Sequence, residues 1–368
     1  MSALSTAALF LLVLIVLILV HELGHFIVAK WTKMRVDEFG IGFPPKLLGW
    51  RKGETLYTLN ALPLGGFVSI YGEDPTKISA DSPDQSRAFG SRPKWAQILV
   101  LLAGVTMNVL LAFILLVVIN LVGAPTMVTE FEATPAASLQ VGAVLPNSPA
   151  AVLPLGATIT AVGNVTGQLE TLTPSTVSDF IAASYPEAVD ISYTVSSEEE
   201  VKTVTLTPEV GLSEATPDRA VVGVSLALVE NIKLPFLSAV NSAAIETVTL
   251  LKAITVGVYD LITGLFTNSA DLSQVTGPIG IANYVGEAAA VGMTSLLFFV
   301  AIISLNLAVI NLLPIPALDG GRLVFVLIEI VTRRPLDHKW SMRVNLVGFL
   351  LLMMLMLAVT IGDISRLW

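Results

Sequence analysis

The 368-residue sequence predicts a polytopic α-helical membrane protein with four transmembrane helices, a membrane-associated β-hairpin or small sheet, and one external β-rich domain. Three observations carry this. The composition is 54% hydrophobic and only 13% charged, too apolar for an ordinary soluble domain. Four runs, Ala3 to Ala29, Trp95 to Val122, Met293 to Leu313 and Val344 to Ile361, each offer the ~20 mostly apolar residues that a bilayer crossing takes. Between the second and third runs, residues 128–228 switch to short β-rich stretches punctuated by Gly, Pro, Ser and Thr.

Segment 1–29 is the first transmembrane helix. Its start, MSALSTAALF, carries no Lys or Arg, and its apolar run contains His21, Glu22 and His25. A cleaved signal peptide has a basic start and would discard those residues, so the segment reads as a retained span. In residues 30–94, Gly40-Ile-Gly-Phe-Pro-Pro45 and Leu62-Pro-Leu-Gly-Gly66 punctuate two strand-like runs, Thr55 to Leu59 and Phe67 to Tyr71. These predict a hairpin or a small sheet whose aromatic residues, Trp31, Phe43, Trp50 and Tyr57 among them, anchor it at the membrane surface. Ser79 to Ser91 reads as a polar linker.

The second span, 95–122, holds Ala103-Gly104, which permits close helix approach, and Asn108, which needs a hydrogen-bond partner in the bundle. Supporting a site and plain interhelical bonding are both open to Asn108. Residues 123–228 form one compact external domain of about 90–100 residues. Its strands are expected at Ala143–Leu145, Thr158–Val162, Val189–Val195 and Val201–Leu206, with a helix over Val177–Ser184. In residues 229–291, Leu237 to Phe266 is apolar but broken by Asn241, Glu246, Lys252 and Asp260, which predicts an amphipathic helix along the outer interface. Val275 to Gly280 then turns into the third span, which occupies 292–322 together with Asn306, Asn311 and Pro314-Ile-Pro-Ala-Leu-Asp-Gly-Gly-Arg322. Residues 323–368 hold a cytoplasmic loop and the fourth helix.

Lys and Arg number ten in 30–94, four in the much longer 123–291 and five in 315–343. The positive-inside tendency therefore puts 30–94 and 315–343 in the cytoplasm, and 123–291 with both termini outside. The net charge of −9 and the lack of a basic block exclude nucleic acid as a partner. The absence of cysteine excludes disulfides, thiolate metal ligands and a cysteine nucleophile.

His21 and His25 are one turn apart on a helix, with Glu22 on the same side. Two such imidazoles can share a divalent metal, and the carboxylate beside them can take a proton from water the metal activates. Ionisable residues at membrane depth cost roughly 2.5–3.5 kcal/mol on insertion scales, so this trio points to function rather than helix packing. A tetrahedral Zn²⁺ that keeps one position for water needs a third protein ligand. Pro314 and Pro316 break the helix and Gly320-Gly321 permit tight turns, which presents Asp319 on the cytoplasmic side. His21, about 27 Å into its span at 1.5 Å per residue, also lies toward that side. Asp319 is preferred over His338, which lies near the charged Arg333-Arg334 loop, although an Asp before Gly-Gly can also serve as a turn or cap residue.

Together these residues resemble the site-2 protease family of intramembrane zinc metalloproteases, and within it the bacterial regulator of sigma E protease group. The likeness rests on His21-Glu-Leu-Gly-His25, Leu62-Pro-Leu-Gly-Gly-Phe67 with Tyr71-Gly-Glu73, Gly277-Pro-Ile-Gly280, and Asn311-Leu-Leu-Pro-Ile-Pro-Ala-Leu-Asp-Gly320. It implies one zinc ion per chain held by His21, His25 and Asp319, with Glu22 as general base. It implies that Asn311 and Asn306 position the substrate backbone, and that the Thr55–Tyr71 hairpin, with Gly65, Gly66 and Phe67, accepts an unwound substrate helix as an added strand. Val141 to Leu206 resembles a PDZ domain, whose ligands are peptide termini. The sequence departs from the family's pattern at Val105, where proline is usual, and at Gly156-Ala157, where Gly-Asp is usual.

The resemblance further implies the bacterial inner membrane as location and the lipid bilayer as surroundings. Substrates would be single-span membrane proteins, such as an anti-sigma factor or a remnant signal peptide. Two rival readings are a non-catalytic metal-containing scaffold that presents a peptide-binding domain, and an aspartyl protease using Asp319 with Asp260. The latter has no Gly-x-Gly-Asp motif behind it.

Overall fold

The computed structural model describes residues 2–73, 83–195, 198–212, 218–267 and 276–366. In chain order it holds α1 (Ala3–Trp31), β1 (Val36–Lys52), β2 (Thr55–Ile70), α2 (Lys94–Val122), β3 (Ala124–Val128), β4 (Ser138–Val144), β5 (Thr158–Asn164), β6 (Gly167–Gln168) and α3 (Pro174–Ser184). There follow β7 (Val189–Val195), β8 (Glu198–Leu206), β9 (Val224–Ile232), α4 (Phe236–Thr267), α5 (Pro278–Val291), α6 (Met293–Leu312), α7 (Asp319–Thr332) and α8 (His338–Arg366). The chain divides into two compact units: Met1–Val117 with Val240–Ala289 and Ser295–Trp368, and Val118–Ala239 with Ala290–Thr294.

Among the described residues of the chain, four helices are long and apolar enough to cross a membrane: α1, α2, α6 and residues 339–365 of α8. These match the four spans expected from composition. In the first unit, α1 buries Val13, Leu17, His21, Gly24, His25 and Ala29. Steps of three and four residues put these on one stripe, so the two imidazoles share the protein-facing side with the core. Val13 and Leu17 pack with Val285 of α5 and Leu296 and Val300 of α6. Leu12, Val16 and Ile27 on other faces are exposed, as a lipid-facing surface requires.

The region expected to form a hairpin or small sheet is a two-stranded antiparallel sheet, and its pairing differs from the one the turn residues suggest. Thr55–Leu59 and Phe67–Tyr71 do not pair with each other; from Thr55 to Ile70 they belong to the single strand β2, whose partner is β1 across the Gly53-Glu54 turn. The two strands curl so that Phe39 faces both Val68 and Tyr57, and Ile41 faces both Gly66 and Leu59. Gly40, Gly42, Pro44 and Pro45 look like loop punctuation, yet they form the bend of a long strand, with Gly42 at φ +80°. Residues 79–82 of the expected linker lie outside the described part. From residue 83 on, the segment is tied down: Ala88 is fully buried, the Phe89 N–H donates to the Tyr71 carbonyl at 2.8 Å, and Arg87 pairs with Glu54 at 2.7 Å. Lys30, at the end of α1, pairs with Glu54 at 2.6 Å. These cations, Arg87 foremost, pull the Glu54 carboxyl down to about 2.

Two helices escaped the sequence reading. Val275 lies outside the described residues, but Pro278 opens α5 where only a turn was expected, proline being suited to a helix's first position. Likewise α7 runs through Thr332, into the segment where the sequence predicts a cytoplasmic loop. The 32-residue α4 covers the predicted amphipathic stretch.

In the second unit, a seven-stranded sheet runs β3-β9-β4-β5-β7-β8, with β6 beside β5. Leu139, Val141, Ile159, Val162, Val189, Ile191 and Leu206 meet Val177 and Ile181 of α3 in its core. Thr173 caps α3 with a reciprocal side-chain pair to Thr176, and Pro174 follows. The domain extends past the expected limit of residue 228, because β9 runs to Ile232 and takes β3 as its neighbour.

Candidate active site

Gly24 brings α1 and α2 together, for a Cβ there would stand 2.4 Å from the Ala103 carbonyl oxygen. That contact sets Gly104 of α2 against the imidazoles of His21 and His25, which are 7% and 8% exposed. His25 Nδ1–H donates to the Val100 carbonyl at 2.8 Å, which leaves Nε2 with its lone pair for a metal. The Asn108 amide, fully buried, lies 3.3 Å from His21 Nδ1. Of the two roles open to Asn108, support of the site is the one the geometry favours.

Asp319 reaches the same point from 298 residues away. After α6, Ile315 N–H donates back to Leu313 O at 2.7 Å, Ala317 takes a left-handed φ of +77°, and its N–H donates to Asn345 Oδ1 at 3.2 Å. The chain then folds onto itself so closely that a Cβ on Gly321 would lie 2.2 Å from Ile315 O. Only glycine permits this turn, and it places Asp319 as the first residue of α7. Its side chain caps nothing local. Instead Oδ2 stands 3.0 Å from His21 Nε2 and 3.2 Å from His25 Nε2, and the two imidazole nitrogens are 3.1 Å apart.

Among the described residues, His21, His25 and Asp319 form a cluster able to hold a metal ion. Ligands at about 2.0–2.1 Å around a tetrahedral zinc lie roughly 3.3 Å apart, close to the three separations observed. Two imidazole nitrogens and one carboxylate oxygen are also a donor set zinc accepts, and Gly104 leaves the space beside them clear. The residues fit the ion.

A cavity of about 220 Å³ opens over this cluster, lined also by Glu22, Phe67, Glu73 and Arg322. The strand β2 passes directly over Glu22, since a Cβ on Gly66 would be 3.4 Å from Glu22 Cγ. Gly65 lies under the Phe43 ring, 2.5 Å from where its Cβ would stand. Asn306 and Asn311 do not line this cavity. Asn306 donates to Ile302 O at 2.9 Å and, with Asp260, borders a separate cavity of about 1000 Å³ along α4, α5 and α6. Asp260 and Asp319 are therefore in different cavities, which removes the basis for an aspartyl pair. The side chain of His338 lies outside the described residues. The sequence reading missed Glu73 and Arg322 as site residues, although Arg322 follows Asp319 by three residues, the spacing of one helix face.

Comparison with known proteins agrees with this geometry. Residues 9–355 match the sequence profile of peptidase family M50. A relative from Clostridium perfringens is 37% identical over 352 residues, covering 95% of each chain. The regulator of sigma-W protease RasP of Bacillus subtilis is 29% identical over 441 residues, 99% of each chain. The zinc metalloprotease RasP of Bacillus licheniformis is 28% identical over 446 residues, 99% of this chain and all of the relative. With its histidine pair and remote aspartate brought to one point, the chain belongs to peptidase family M50, the site-2 proteases, and is a zinc-dependent metalloprotease.

Proposed function

We propose that His21, His25 and Asp319 hold one zinc ion, that Glu22 is the general base, and that the chain hydrolyses peptide bonds within or near the transmembrane segments of single-span membrane proteins. The observation that supports this best is the approach of Asp319 to within 3.0 Å of a histidine pair 298 residues earlier, on a helix apolar enough to span the bilayer. Bound there, zinc supplies the Lewis acidity that activates water and polarises a carbonyl. Glu22, facing the same cavity, takes the proton from that water and delivers it to the leaving nitrogen.

Peptide bonds in a helix have their carbonyls engaged, so the substrate must unwind before it is cut. Gly66–Ser69 of β2 pairs with Glu38–Ile41 on one side and with no further strand among the described residues. Lying over Glu22, this edge accepts the unwound segment as an added strand, with Phe67 beside the cavity. Asn311 and Asn306, both on α6, bond the remaining substrate backbone. The distribution of Lys and Arg supports an active site facing the cytoplasm and a sheet domain outside, in the bacterial inner membrane.

That domain reads as PDZ-like. Residues 224–227 of β9 lie beyond the reach of β3, and a cavity of about 180 Å³ separates Val221–Leu226 from α3. A peptide terminus adds there as a strand. Anti-sigma factors and remnant signal peptides are the proposed substrates, once another protease has removed their outer parts. The test is Glu22→Gln in purified protein with a membrane-embedded reporter: zinc content stays at the parent level and cleavage stops. Cleavage at the parent rate in that variant would refute the assignment.

A further inference from the structure

The cavity over the metal ligands holds one cation that the proposed mechanism does not use. Besides His21, Glu22, His25 and Asp319, its charged lining residues are Glu73 and Arg322. Arg322 follows Asp319 by three residues on α7, so both side chains leave the same helix face. Its guanidinium pairs with Glu73 and sits 5.8 Å from the centre of the Phe89 ring, about a third of the side chain remaining exposed. Glu73 is fixed at the end of β2, where the Ile70 N–H donates to its Oε2 at 3.4 Å. The cation thus rests against a carboxylate at the end of the strand over which the substrate would lie.

Hydrolysis changes the charge in this cavity. The water oxygen bonds to the carbonyl carbon, and negative charge gathers on the carbonyl oxygen. The C–N bond then breaks, the nitrogen takes the proton, and a carboxylate remains on the N-terminal fragment. That anion arises beside Glu22 and Glu73, both acidic, and a cation in addition to the proposed metal offsets their repulsion. A guanidinium presents paired donors that match a carboxylate, and Glu73 occupies in the free enzyme the kind of partner the product would become.

Resting on the proposed proteolytic reading, we propose that Arg322 is a further catalytic residue. It binds the scissile carbonyl oxygen as charge develops and then the new carboxylate, exchanging its bond to Glu73 for one to the substrate. A donor that strengthens its hold as charge develops lowers the barrier more than it tightens substrate binding.

The experiment uses the purified full chain, with zinc measured for every variant and Glu22→Gln as the inactive control. Arg322→Ala is expected to keep its zinc and lose about 10²–10³-fold in kcat, the range for removing one such donor, with little change in KM. Arg322→Lys recovers part of the loss. Glu73→Gln breaks the same ion pair but keeps the guanidinium, and is expected to lose far less in kcat than Arg322→Ala. Equal losses from Arg322→Ala and Glu73→Gln would show that the pair merely holds β2 to α7, and would overturn the proposal. A second readout does not depend on turnover by the variant. A short peptide with the sequence of the N-terminal product should bind the parent better as the free acid than as the C-terminal amide, and Arg322→Ala should abolish that preference. Equal binding of acid and amide by the parent would also overturn it. If the parent itself cleaves no better than Glu22→Gln, the proteolytic reading fails instead.

Discussion

A Cβ on Gly104 of α2 would stand 2.5 Å from Nε2 of His25, closer than such atoms approach one another. The same Cβ would be 2.7 Å from His21 Nε2. The backbone of α2 is therefore one wall of the metal site. Gly104→Ala must push both imidazoles away or part α1 from α2, whose contact at Gly24 and Ala103 has no slack. The expected result is loss of zinc from the purified protein by metal analysis. Gly257→Ala on α4, where a Cβ meets nothing within 4 Å, should keep the full zinc content.

Asn108 carries a second prediction about the metal. A neutral imidazole that binds metal through Nε2 keeps its proton on Nδ1, and that proton needs an acceptor. For His25 the acceptor is the Val100 carbonyl. For His21 the neighbour is the Asn108 amide, whose Oδ1 is buried and without a partner. Turning the amide about its Cβ–Cγ bond gives that oxygen to the His21 N–H and satisfies both groups. Asn108→Ala is expected to weaken zinc binding by about 10–100-fold, as loss of such supporting bonds does elsewhere. Competition with a chelator of known affinity measures it, and an unchanged zinc affinity would count against this role for Asn108.

The cluster of His21, His25 and Asp319 was legible in the sequence because its signals are local. His21 and His25 are a helix turn apart, and the prolines and glycines around Asp319 announce a broken helix with an acidic residue at its restart. The four spans were legible from length and apolar content alone. The strand pairing was not: Gly40, Gly42, Pro44 and Pro45 mark turns in most contexts, whereas here they bend β1 without ending it. Helices α5 and α7 begin directly after turn signals and are shorter than a span, so they merged into their neighbours. Glu73 and Arg322 lie 249 positions apart by their numbers, and nothing local marks them as a pair. Asn306, a polar residue expected to position substrate, borders the separate cavity along α4, α5 and α6, a placement that nothing local in the sequence marks.

Gly66 tests how the substrate is held. A Cβ there would be 3.4 Å from both Glu22 Cγ and Ile18 Cγ2, ordinary contact, but 3.2 Å from Gly40 O. Alanine nearly fits, and a branched side chain does not. Gly66→Val is expected to lift β2 from Glu22, keeping zinc while cutting reporter cleavage sharply, and Gly66→Ala should fall between it and the parent. Zinc content and cleavage rate measured together separate this from damage to the ligands. Parent-level cleavage by Gly66→Val would mean that the strand over Glu22 does not carry the substrate.

Glu54 ties the hairpin to α1, and its titration predicts how that junction responds to acid. Arg87 and Lys30 hold its carboxyl at about 2, against 4.5 for the unperturbed group. The folded state therefore binds this proton less readily than the unfolded one, and stability rises with pH wherever the two differ. The contribution is fully present above about pH 4.5 and is lost as pH falls from there toward 2, because the carboxylate must be protonated away from its cations. Glu54→Gln removes the titrating group, so its unfolding temperature should be lower than the parent's at pH 7. The gap should narrow as the pH is brought down from 5 toward 3. Thermal unfolding in detergent at stepped pH reads both curves. A gap that stays constant over that interval would show that ionisation of Glu54 does not contribute to stability.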